Sequence, residues 1–134
     1  MSWRIVNPGS LVPPRGWNHG LLWEGGGRML FVAGQTASDA SGRTDLDFVD
    51  QFRLALERVV AVVREAGGEP GHVGRLVIYV TNMDRYVESR KALGEAYRAV
   101  MGRHYPAMAL VEVARLVDSD TMVEIEAIAM LPDA

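Results

Sequence analysis

Between residues 47 and 66 the apolar positions Phe48, Phe52, Ala55, Leu56, Val59, Val63 and Ala66 recur at three- and four-residue spacing, which predicts an amphipathic helix. Asp45 or Asp47 can cap its start, and Gly67-Gly68 stops it. Before it, residues 20–24 and 28–36 are apolar, strand-like runs around Gly25-Gly26-Gly27, a hairpin signal. Residues 7–20, with Pro8, Pro13, Pro14, Gly16 and Gly20, form an irregular lead-in. Residues 75–81 are almost continuously apolar, the pattern of a strand buried on both faces. Asp84 then caps a second helix with Tyr86, Leu93, Tyr97, Val100 and Met101 as its buried stripe and Gly102 at its end. Gly94 inside that helix costs about 1 kcal/mol relative to alanine, and close packing on the sheet would offset the cost.

Two further apolar runs, 105–116 and 122–130, flank the polar turn Val117-Asp-Ser-Asp-Thr121 and read as a second hairpin. Side chains alternate along a strand, so Met108, Leu110, Glu112, Ala114 and Leu116 share one face of the first run. Glu124, Glu126, Ile128 and Met130 share one face of the second. Carboxylates on such strands are either solvated and salt-bridged or form the wall of a cleft. The predicted order is β-β-α-β-α-β-β, an α+β fold in which right-handed crossovers put both helices on one face of a mixed sheet. The other face, left bare and apolar, would be covered by further copies of the chain.

At 134 residues the chain is expected to be a single domain, 1–134, large enough to bury a core. A net charge of −3 argues against a nucleic-acid partner, since such proteins carry a basic patch or stripe. There is no cysteine, which excludes disulfides, thiolate metal sites and a cysteine nucleophile. No apolar run approaches signal-peptide or membrane-span length, so a cytoplasmic protein with no membrane partner is the expectation. His19, His72 and His104 lack metal-like spacing, and neither a metal nor a cofactor is expected. Gly25-Gly26-Gly27 precedes a strand rather than a helix and has no following lysine, so it is no phosphate loop.

The run Pro106-Ala107-x-x-x-Val111-Glu112-Val113-Ala114-Arg115-Leu116, followed by Val123-Glu124-Ile125-Glu126-Ala127, resembles the C-terminal signature of the Rid (YjgF) family. Gly34-Gln35, Gln51, Ala66-Gly67 and Val77-Ile78-Tyr79-Val80-Thr81 extend the resemblance over residues 10–131. It implies a chorismate-mutase-like homotrimer with three clefts between subunits, in which active relatives hydrolyse reactive enamines and imines. It further implies that Glu124 is catalytic, holding the water that attacks the imine carbon. A carboxylate in an apolar interface suits general acid–base work near neutral pH. Trp17 falls where the family has a cleft-lining tyrosine, and Gly34 permits close approach of a ligand to the backbone. Met108 stands where deaminating members carry an arginine that binds the substrate carboxylate. His19, Glu126 and Arg115 are further candidates, Glu126 as a structural partner paired with an arginine such as Arg115.

Three functions follow from these residues. One is a hydrolase acting on an imine, enamine or related C–N bond in a substrate other than a typical amino-acid-derived imine, since Met108 offers a carboxylate no bidentate donor. Another is a trimer that binds a small apolar or aromatic metabolite without turnover, with Trp17 and Met108 as walls. The third is an interaction protein with vestigial clefts.

Overall fold

The computed structural model describes residues 2–134 as an α+β fold with a mixed sheet. Strands β1 (Ser2–Val6) and β2 (Gly20–Glu24) pair antiparallel in a small sheet of their own. Strands β3 (Arg28–Gln35), β4 (Val73–Val80), β5 (Ala107–Glu112) and β6 (Val123–Leu131) form the main sheet in the order β3-β6-β4-β5. Both expected hairpins are absent. The three glycines at 25–27, two of them at φ of 111° and 152°, turn the chain out of the small sheet into the main one. The turn at 117–121 carries the chain past β4, which pairs parallel with β5 on one side and antiparallel with β6 on the other. Turn chemistry reports that a chain reverses, but not that the strands on either side become neighbours.

Helix α1 (Phe48–Glu65) starts at Asp47, whose carboxylate accepts from the Asp50 amide; of the predicted stripe Phe48, Phe52, Ala55, Leu56, Val59 and Val63 are buried and Ala66 is half-buried, and Gln51 and Val60 are buried as well. The second helix is divided at Ser89 into α2 (Met83–Glu88) and α3 (Arg90–Met101). Asn82, rather than Asp84, caps α2, and the Glu112 carboxylate accepts the Met83 amide at 2.8 Å. Glu112 is therefore a structural group at a helix start.

The core lies between α1, α3 and one face of the main sheet. Val123, Ile125, Ala127, Ala129 and Leu131 of β6 all point into it, together with Leu76, Ile78 and Val80 of β4. Strict alternation then sends Glu124, Glu126, Ile128 and Met130 to the opposite face, beside Tyr79 and Val77. Among the described residues no helix lies over that face, and Phe31 is 71% exposed and Met29 59%.

The small sheet is fastened by aromatic packing. Trp3 stands edge-on to Trp23 at 5.0 Å between ring centroids and donates to the Gly71 carbonyl at 3.0 Å. Its indole lies where a β-carbon on Gly74 would come within 2.4 Å, so the ring needs a glycine at the start of β4.

Gln51 is the one polar side chain of α1 within the core, only 1% exposed. Its amide donates to the Leu46 and Asp120 carbonyls and its oxygen accepts the Met122 amide at 2.8 Å, tying the start of α1 to the turn before β6. Gln51→Leu leaves these three backbone groups without that partner. The expected loss is about 1–3 kcal/mol of unfolding free energy, read from urea denaturation, and a loss below about 0.5 kcal/mol would show that the bridge is dispensable.

Candidate functional site

The residues singled out from the sequence fall into two groups on opposite sides of the main sheet. Trp17 and Met108 belong to the helix side. The lead-in docks on the free edge of β5 through the Asn18 amide, which donates to the Pro106 carbonyl at 3.2 Å, and the Asn18 side chain, which donates to the Tyr105 carbonyl at 2.6 Å. This positions Trp17 at the mouth of a cleft of about 580 Å³ with Met108 and Leu110 of β5, Leu93 and Tyr97 of α3, and Tyr105 among its walls. Tyr97 and Tyr105 stack with ring centroids 5.4 Å apart and planes at 10°. Gly94 also lines this cleft: a β-carbon there would meet the Arg98 guanidinium at 3.2 Å, not the sheet. The expected sheet contact of Gly94 is thus replaced by a cleft contact.

Gly34 and Glu124 belong to the uncovered face. The register between β3 and β6 slips between Val32 and Gln35, a bulge that contains Gly34. A β-carbon on Gly34 would lie 2.6 Å from Oε2 of Glu124, so the glycine leaves the space in which this carboxylate stands. On the next strand Tyr79, opposite Glu124 in register, donates from its hydroxyl to Glu126. That hydrogen bond to Glu126 is the main reason the Tyr79 phenol is pushed above its ordinary range. Glu126 therefore has a tyrosine for a partner, and the ion pairs among the described residues involve neither Glu126 nor Arg115. Arg115 lies beyond β5 and lines a different depression with Thr81, Ser119 and Thr121.

His19 has a structural position. Its Nε2 lies 2.8 Å from the Val12 carbonyl, and its ring stands edge-on to Trp17 at 4.5 Å, bracing the lead-in that presents the tryptophan. No group of metal-ligating side chains occurs among the described residues, and none of their helices is long and apolar enough to cross a membrane. Tyr79 as a chemical group and the arginines of α3 were not legible in the sequence. Tyr79 lies in a strand that reads as almost continuously apolar, and nothing in the local pattern marks Arg90 and Arg98 as site residues.

Residues 12–131 match the family model described as Endoribonuclease L-PSP, and the chain belongs to that family, the one also called Rid or YjgF. TdcF of Escherichia coli K12 is 34% identical over 108 residues, 78% of this chain and 80% of TdcF. The 2-iminobutanoate/2-iminopropanoate deaminase of Salmonella typhimurium LT2 is 34% identical over 105 residues, 78% of this chain and 80% of the relative. Among solved structures, the Rid-family protein YyfB of Yersinia pestis superposes with a TM-score of 0.83 at 31% identity, over 98% of this chain and all of YyfB.

Burial raises the Tyr97 phenol well above its ordinary range. Its folded-state value exceeds the unfolded value of about 10, so its contribution to stability is complete below that pH and is lost as pH rises through the raised folded value. Comparing urea denaturation at pH 8 and at strongly alkaline pH, Tyr97→Phe is expected to lose less stability across the interval than the unmodified protein. An equal loss in both would place the alkaline sensitivity elsewhere.

Proposed function

We propose that the chain forms a homotrimer with three equivalent clefts between subunits and that each cleft hydrolyses a C=N bond of a small metabolite. The observation that carries this reading is the Glu124 carboxylate standing against the bare backbone of Gly34 on an uncovered, partly apolar sheet face. In a three-fold ring each interface joins two different patches of the chain. A cleft containing all four candidates would take Gly34 and Glu124 from one subunit and Trp17 and Met108 from the next. Glu124 holds a water molecule and accepts its proton as the oxygen adds to the imine carbon. Glu124 returns that proton to the nitrogen, and collapse of the resulting carbinolamine, with the hydroxyl proton also passing to nitrogen, gives the carbonyl compound and releases the nitrogen as ammonia or an amine. The kinship with a relative named as an iminobutanoate deaminase supports the reaction type.

Met108 supports a difference in substrate. A thioether supplies no charge-assisted donor, so imines of ordinary amino acids are expected to be poor substrates and a less acidic or more apolar reacting end a better one. A second reading, a trimer that binds its ligand without turnover, draws support from the Met and aromatic walls and from a solved structure of E. coli TdcF with bound serine, 31% identical with a TM-score of 0.65. Coupled assays on imines generated in place separate turnover from binding.

Glu124→Ala is expected to abolish turnover while light scattering still reports a trimer. A monomer in the unmodified protein at micromolar concentration would remove the intersubunit cleft, and loss of assembly in the variant alone would make Glu124 structural. Met108→Arg is expected to raise hydrolysis of an amino-acid-derived imine by about ten- to a hundredfold, the equivalent of one charge-assisted hydrogen bond. Equal rates for both proteins would contradict the electrostatic argument, and robust activity before substitution would show that another group holds the carboxylate.

A further inference from the structure

The cleft beside Met108 carries an unusual set of cations. Arg90 and Arg98 of α3 and Arg15 of the lead-in all line it, and no aspartate or glutamate does. The three guanidiniums take no part in any ion pair among the described residues, where the arginines engaged are Arg4, Arg53 and Arg64. In a protein of net charge −3, three unpaired arginines around one cleft leave a local positive field without an internal counter-charge.

Their placement follows from helix geometry. Arg90, Gly94 and Arg98 form one i, i+4, i+8 row of α3, so the two arginine Cα atoms stand about 12 Å apart. The glycine between them leaves an open gap over which the Arg98 guanidinium folds back. Leu93 and Tyr97, one position away on the same helix, are buried at 4% and 8% exposure, whereas the arginines are exposed. The cleft is thus graded: apolar and aromatic at depth around Met108, Leu110 and Tyr97, cationic at the rim.

We propose that this cleft binds an elongated acid, with an apolar or aromatic body seated against Met108 and Tyr97 and a carboxylate held at the rim by Arg90 and Arg98. The inference deepens the proposed function, from which it takes only that the Trp17–Met108 cleft receives the ligand. Relative to an imine of an ordinary amino acid, the acid group moves away from the reacting end. Discrimination then depends on reach: a carboxylate one bond from the body stays among apolar side chains, and one several bonds away meets the arginines.

Isothermal titration of the assembled protein with 4-phenylbutanoate, benzoate and the neutral 4-phenylbutan-1-ol tests this. At low salt 4-phenylbutanoate is expected to bind about tenfold or more tightly than the alcohol, as one or two charge-assisted bonds at an exposed rim imply. The preference should shrink as salt is raised and vanish in the doubly substituted R90Q/R98Q protein, whose exposed positions leave folding intact. Benzoate should bind less tightly than 4-phenylbutanoate. Equal binding of acid and alcohol, no binding of either, or a preference that survives R90Q/R98Q would overturn the proposal. Displacement of 4-phenylbutanoate by micromolar oligouridylate would also overturn it, by assigning the cations to a nucleic acid. The same titration on Glu124→Ala separates the two ideas: a retained acid preference with no turnover in any protein would sink the hydrolase and leave the acid site standing.

Discussion

Alternation along β6 is the constraint from which the rest of the site follows. Burying Val123, Ile125, Ala127, Ala129 and Leu131 beneath α1 removes five side chains from water at once, each worth up to a few kcal/mol for the larger residues. A slip of one residue would reverse that burial and bring Glu124 and Glu126 into the core. Hydrophobic burial on one face therefore holds two carboxylates on the other. The acidic chemistry of the protein is positioned by packing it does not touch.

The uncovered face is also incompletely apolar. Phe31 and Met29, opposite Ile128 and Met130, share this face with Tyr79, Glu126 and Glu124, and the Tyr79 phenol donates to Glu126 while the bulge at Gly34 clears room for Glu124. Covering such a face desolvates carboxylates, so a neighbour must bring polar partners or a bound ligand along with its apolar surface. The same requirement separates the roles of the two glutamates. Glu126 has a partner in Tyr79 of the same chain, and Glu124 adjoins bare backbone and remains free to engage something else.

On the helix side the controlling event is the break at Ser89. Were α2 and α3 one straight helix, the row of Arg90, Gly94 and Arg98 would begin in mid-helix. Ending α2 at Glu88, with Glu112 holding the Met83 amide, opens α3 at Arg90, which lines one cleft with Met108 and Leu110 of β5. The lead-in, hydrogen-bonded along β5 through Asn18 and braced by His19 against Trp17, closes the other side. Three segments distant in sequence thereby share one cleft, and Met108 is set among arginines that arrive from elsewhere.

Local periodicity and caps were legible in the chain: α1 from Phe48 to Glu65 with Asp47 at its start, the stripe Leu93–Tyr97–Met101, the parity that keeps Glu124 with Glu126, and the motifs from Pro106 to Ala127 that mark the family. Each depends on residues a few positions apart, whose relative placement is set by helix and strand geometry alone. Strand partners were not legible, because the pairing of β6 with β3 and β4 rather than β5 depends on which long-range arrangement buries the most surface, and both hairpin expectations failed for that reason. The partner of Glu126, the company of Gly94 and the separation of Met108 from Glu124 across the sheet likewise exist only once distant segments meet. Sequence determined which side chains the strands and helices would carry, and tertiary packing decided which of them share a surface.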